Sequence, residues 1–107
     1  MADPAREGAI RLDKWLWHAR FCKSRAIAQR LIESGAVRVN AVRVAKPATS
    51  VRPGDGITLA LAGRVRVVRI LALGVRRGPA PEAQALYSDV DALQQAAPLE
   101  PGREPDT

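Results

Sequence analysis

Leu12, Trp15, Leu16 and Ala19 recur at i, i+3, i+4 and i+7. That spacing lines one face of an α-helix and predicts a helix from Leu12 to about Phe21. The pattern breaks at Phe21-Cys22-Lys23. Ser24 is placed to cap a second helix, its hydroxyl accepting a bond from an otherwise unpaired N–H of the first turn. Ile27, Ala28, Leu31 and Ile32 supply the buried face of that helix, and Ser34-Gly35 its stop, since glycine readily takes the left-handed conformation that closes a helix.

Period two then replaces period 3.6. Val37 and Val39 alternate with Arg38 and Asn40, and Val42 and Val44 flank Arg43, which predicts a tight hairpin or bent strand pair about Asn40-Ala41. Alanine is a poor residue where φ is positive, so the turn type stays open. "KPATSVRPGDG" reads as a loop with its turn at Pro53-Gly54-Asp55-Gly56. "ITLAL" and "RVRVVRILAL", separated by Ala62-Gly63, form a second hairpin that carries Arg64, Arg66 and Arg69 outward. After the basic loop Arg76-Arg77-Gly78-Pro79, a short helix is expected from Pro81 to Leu93, docked by Ala83, Leu86 and Tyr87. The closing "APLEPGREPDT" has the composition of a disordered tail.

The order α-α-β-β-β-β leaves little room for parallel crossovers. It predicts an α+β domain: two N-terminal helices on a small, mostly antiparallel sheet, then a short C-terminal helix and an acidic tail. Residues 1–9 are expected to be a flexible tail, 10–80 the folded domain, and 81–107 the C-terminal helix and tail. There is no internal repeat.

Composition narrows the picture. A chain of 107 residues supports one domain, and only Trp15, Trp17, Phe21 and Tyr87 are aromatic, so the core is aliphatic. The single Cys22 excludes an internal disulfide framework and fits a reducing compartment. No run approaches the roughly 18 apolar residues of a membrane span. "MADPAREGAI" lacks the basic-then-apolar order of a signal peptide. A cytoplasmic protein without a membrane partner is expected. Charge is uneven: residues 10–80 hold fifteen Lys and Arg against three acids, whereas 81–107 hold six carboxylates against Arg103. A basic body points to a polyanionic partner.

Catalytic chemistry is hard to find. His18 and Cys22, four residues apart, are short of the three or four ligands of a zinc site, and neither has an oriented base or acid partner. A partly exposed histidine and a packed cysteine are expected. Asp13 and Glu33 lie on different helices; Asp13 is placed to complement the first helix's dipole or to anchor Arg11. "RPGDG" lacks the downstream lysine and helix of a phosphate loop. No enzyme, metal or cofactor is expected.

The cations, by contrast, have a shape. Arg11, Lys14 and His18 fall beside the apolar stripe of the first helix, and Lys23, Ser24 and Arg25 sit where the second begins, an arrangement suited to phosphate. Gln29 is one turn after Arg25, and Arg30 lies further round. Arg38 and Asn40 border the same surface if the strand after Gly35 packs under both helices. Trp17, outside the stripe, is either a stacking face or packed on the C-terminal segment. Arg43, Arg64 and Arg66 are either solvated strand faces or part of the basic surface.

"RLDKWLWHAR", "KSRAIAQRLIESGAVRVN" and "RPGDGITL" together resemble the RNA-binding domain named after small-subunit ribosomal protein four, the alpha-L motif. Its pattern of R-L-D, S-R-x-x-A, G-x-V-x-V-N and P-G-D appears in order between Ile10 and Leu73. The tryptophan pair and "RRGPAPEAQALY" narrow the resemblance to the fifteen-kilodalton ribosome-associated heat shock protein family. The resemblance implies a non-catalytic factor that binds ribosomal RNA on free large subunits carrying stalled nascent chains and peptidyl-tRNA, as part of a stress response. Its RNA-contacting positions here would be Arg11, Lys14, Lys23, Ser24, Arg25, Gln29, Arg30, Arg38, Asn40 and Lys46. Ala41 stands where the pattern has glycine, and the acidic end replaces a basic extension found in family members. A monomer with weak DNA binding is expected. The alternatives are an accessory module for an RNA-modifying enzyme, a general nucleic-acid binder, and an interaction protein using its sheet edge.

Overall fold

A computed structural model describes residues 8–90 of the chain. The anticipated acidic tail, and all but the last two residues of the anticipated N-terminal tail, lie outside the described residues. The elements run β1 (Ile10–Arg11), α1 (Leu12–His18), α2 (Arg25–Glu33), β2 (Val37–Val39), β3 (Val42–Arg43), β4 (Ser50–Val51), β5 (Gly56–Leu61), β6 (Arg64–Ile70), α3 (Ala80–Gln84) and β7 (Tyr87–Asp89). The fold is α+β, with every strand pair antiparallel. A five-stranded sheet has the order β3-β2-β5-β6-β7, and β1 pairs with β4 beside it.

α1 is shorter than its apolar spacing suggests. Arg20 adopts φ 66°, and the N–H groups of Arg20 and Phe21 bond back to the carbonyls of Trp17 and Leu16, a closure usually made around glycine. Ser24 caps α2 as expected, its Oγ accepting from the Ile27 N–H at 3.1 Å, and Gly35 ends that helix at φ 86°. Both hairpins turn on two residues with positive φ, Asn40-Ala41 at 51° and 71° and Ala62-Gly63 at 50° and 77°. This geometry matches the right-handed twist of the strands.

Strand alternation sends Val37, Ile57, Leu59, Val68 and Ile70 to one sheet face, where they meet Leu12, Trp15 and Leu16 of α1 and Ala28 and Ile32 of α2. Ile27, expected inside, is 40% exposed; α2 buries a narrower stripe than its sequence offers. Trp15 is fully buried, and its indole N–H donates to the Ala72 carbonyl at 3.0 Å. Truncating Trp15 would cost about 3–5 kcal/mol.

Beyond residue 80 the expected short helix is present, but its expected extent, to Leu93, is a correction. α3 stops at Gln84, and Tyr87–Asp89 pair with β6 as the fifth strand; residues 91–93 lie outside the described residues. The β1–β4 pair was also not foreseen. Its two-residue strands are too short to show a period, yet Leu12 and Asp13 donate backbone N–H groups to Thr49 and Pro47, fixing the loop after β3 against the start of α1. Among the described residues no helix is long and apolar enough to cross a membrane.

Candidate nucleic-acid interface

Asp13 organises the polar surface between α1 and α2. Its carboxylate is fully buried and accepts a two-pronged contact from Arg11, Nε at 3.0 Å and Nη2 at 2.9 Å. Gln29 Nε2 donates at 2.9 Å, and Arg25 Nη2 stands 3.6 Å away. Burial alone would raise the Asp13 pKa. The hydrogen bonds from Arg11 and Gln29 and the charges of Arg11 and Arg25 outweigh it, so the carboxyl is held below the usual carboxylate range. The same contacts push the Arg11 guanidinium up.

One carboxylate thus aligns two arginines and an amide from two elements without cancelling their charge. Arg11 and Arg25 remain 47% and 40% exposed at their side chains, and the buried Arg25 Nε has no hydrogen-bond partner within the described residues. Ser24 uses its hydroxyl to cap α2, and the first turn of α2 contains no acid. Exposed Lys23 precedes the cap, and half-buried Lys14 follows Asp13. The Thr49 and Pro47 carbonyls bound to α1 bring exposed Lys46 to the same end. A helix N-terminus with free N–H groups, its dipole uncompensated and cations around it, is suited to phosphate oxygens.

The remaining anticipated residues are dispersed. Exposed Arg30 lies further along α2. Arg38 sits between buried Val37 and half-buried Val39 and therefore points to the sheet face away from the helices, opposite Arg43 across the hairpin. The strand does pack under both helices, but through Val37, and alternation turns Arg38 to the opposite face. Asn40 is occupied within the fold: Nδ2 donates to Asp55 Oδ1 at 3.1 Å, and Oδ1 accepts from the Gly56 N–H at 2.8 Å.

His18 is a further correction. It is 1% exposed, and its Nδ1 faces the Leu73 carbonyl at 3.1 Å. Since a carbonyl only accepts, Nδ1 carries the proton, and the buried Nε2 has no partner. It does not join the cationic surface. Half-buried Trp17 packs beside it, ring centroids 5.6 Å apart. Cys22 is buried, and burial pushes its thiol up, away from the thiolate that nucleophilic chemistry needs. Arg66 is not simply solvated: it bonds Asp89 at 2.6 Å and lies over the rings of Phe21 and Tyr87. Among the described residues no group of three or more His, Cys, Asp or Glu could hold a metal.

Two helices presenting a basic helix start on an antiparallel sheet define an S4-type, alpha-L fold, and the S4 domain family matches residues 10–57. Heat shock protein 15 homolog of Haemophilus influenzae is 44% identical over 86 residues, covering 80% of this chain and 65% of that protein. The trimeric structure of Vibrio cholerae heat shock protein 15 superposes with a TM-score of 0.74 at 42% identity, covering 78% of this chain and 84% of that one. The chain belongs to the heat shock protein 15 family. It spans just under two thirds of the Haemophilus relative. A Listeria innocua protein, the RQC P-site tRNA stabilizing factor, is 36% identical over 61 residues, 57% of this chain and 65% of its own length.

Proposed function

We propose that this protein binds ribosomal RNA without catalysis, docking on free large ribosomal subunits that carry a stalled nascent chain on tRNA. The start of α2 carries this reading. Lys23 and Arg25 crowd the positive end of a helix whose first turn holds no acid, an arrangement that opposes the helix dipole unless an anion is supplied from outside. Family membership supports RNA as that anion, and the name of the Listeria relative supports a complex containing tRNA.

Arg11, Lys14, Lys23, Arg25 and Lys46 neutralise phosphates, and Ser24, Gln29 and the first N–H groups of α2 orient them. Arg30 extends the surface along α2. Arg38 and Asn40, which face elsewhere, contribute at its margin or through a second RNA segment. Counterion release makes the affinity fall steeply with salt, and shape with 2′-hydroxyl contacts selects a folded RNA over duplex DNA.

Co-sedimentation with purified particles at near-physiological salt tests the proposal. Enrichment on large subunits bearing peptidyl-tRNA, over bare large subunits and intact ribosomes, is the expected result. Absence from every particle would refute the ribosomal assignment. Equal, fully salt-sensitive binding to duplex DNA and ribosomal RNA would replace it with a general nucleic-acid binder.

A further inference from the structure

A pocket of about 150 Å³ opens between the α1–α2 link, β6, α3 and β7, where Arg20, Phe21, Arg66, Ala83, Gln84 and Tyr87 line it. We propose that this pocket receives one unpaired nucleobase of the RNA held at the Asp13 cluster, with the adjoining phosphate on Arg20 and Arg66. The proposal rests on the RNA-binding reading above and adds a specificity element to it.

The lining has the chemistry of a base and of its phosphate. The Phe21 and Tyr87 rings lie 4.7 Å apart between centroids, and the Arg66 guanidinium carbon is 5.1 Å and 5.8 Å from them. A guanidinium seated over aromatic rings, and braced by its bond to Asp89 at 2.6 Å, offers a planar surface on which a base can stack. Exposed Gln84, on α3, carries both a carbonyl acceptor and amide donors to meet a base edge. Ala83 leaves room between them for a single planar ring system.

Arg20 gives an independent reason. It holds the left-handed position that closes α1, at φ 66°, where glycine would carry less strain. Its Nε donates to the Gly78 carbonyl at 2.6 Å, and its terminal amino groups make no hydrogen bond within the described residues, so an arginine is kept at a strained position with donors to spare. The pocket also lies close along the chain to the proposed phosphate site. Only Cys22 separates Phe21 from Lys23, and Lys23, Ser24 and Arg25 open α2. A strand bound at the α2 start would have only this short link to pass to reach the pocket.

The test measures affinity of the full chain for an RNA hairpin and for the same hairpin carrying one bulged uridine. The bulged RNA should bind about tenfold more tightly, the scale of one stacked base. Arg20→Gly suits the left-handed backbone and should preserve the fold; it should abolish the preference, weakening the bulged RNA about tenfold more than the plain hairpin. Gln84→Ala, at an exposed position, should reduce the preference severalfold. Arg25→Ala should weaken both RNAs alike. A photoreactive halogenated uridine at the bulge should cross-link to Phe21 or Tyr87. Equal affinities in the wild type, a preference that survives Arg20→Gly, or cross-links elsewhere would overturn the pocket while leaving the RNA reading standing. Failure to bind either hairpin would overturn both.

Discussion

α1 and α2 begin in opposite electrostatic ways. α1 has an acid in its first turn, Asp13, and no side-chain cap; α2 has a side-chain cap, Ser24, and no acid. The acid of the first helix does not stay at home. Buried between the helices, it reaches Arg11 before it and Gln29 and Arg25 on α2. The α1 start is thereby self-satisfied, while the α2 start keeps a net positive charge and unfilled donors. If the α2 start is the phosphate site proposed above, mutations at the two starts should separate stability from binding.

The largest expected effect is on binding. Arg25→Ala should lower RNA affinity about ten- to hundredfold, the range of a charge-assisted contact. It should leave folding stability within about 0.5 kcal/mol, because a 3.6 Å pair with a side chain 40% exposed is weak and a cation is removed from the positive end of a helix. Titrations with an RNA hairpin beside urea melts would check both halves. A large loss of stability with unchanged affinity would reverse the assignment of the two helix starts.

Asp13→Asn should do the opposite, costing about 1–2 kcal/mol of stability, because the exposed arginines can be resolvated after the buried acceptor loses its charge. The pH dependence has a definite sign. Since the folded protein holds the Asp13 pKa below its ordinary value, this carboxylate's contribution is fully present above the usual carboxylate range, near 3.9. It is lost as pH falls through that range toward the depressed value. Denaturant midpoints measured from pH 7 down to pH 3 should converge between wild type and Asp13→Asn at the acid end. Curves that stay parallel would show that the Asp13 charge is not what holds the junction.

What the sequence revealed of these regions depended on range. The Ser24 cap, the Gly35 stop and both hairpin turns are local signals, written within a few residues, and they appear as expected. The convergence of Arg11, Arg25 and Gln29 on Asp13 joins residues up to sixteen positions from it; the R-L-D and S-R-x-x-A motifs mark Arg11, Asp13 and Arg25 but not Gln29, and nothing in them gives the distance. Periodicity misplaced His18, because the loop carrying Leu73 and Gly74 covers that side of α1. For Arg38 the sequence left the face conditional on how the strand packs, and the alternation with buried Val37 turns it away from the helices. The Arg66 stack needed β7, whose three residues carry no period of their own.

The smallest effect sharpens the margin of the interface. The two hairpin turns share one backbone shape, yet the second turn residue is Ala41 at φ 71° in one and Gly63 at φ 77° in the other. Ala41→Gly relieves the left-handed strain, worth about 1–2 kcal/mol, and returns part of that gain to the unfolded chain through added backbone freedom. A net rise of about 0.5–1 kcal/mol is expected in chemical denaturation. RNA affinity should change little, because Asn40 ties this turn to Asp55 and Gly56 and keeps its shape with either residue at the next position. A change in affinity without a change in stability would mean that the hairpin tip itself meets RNA. Arg38 and Asn40 would then belong to a main contact and not to the margin of the surface.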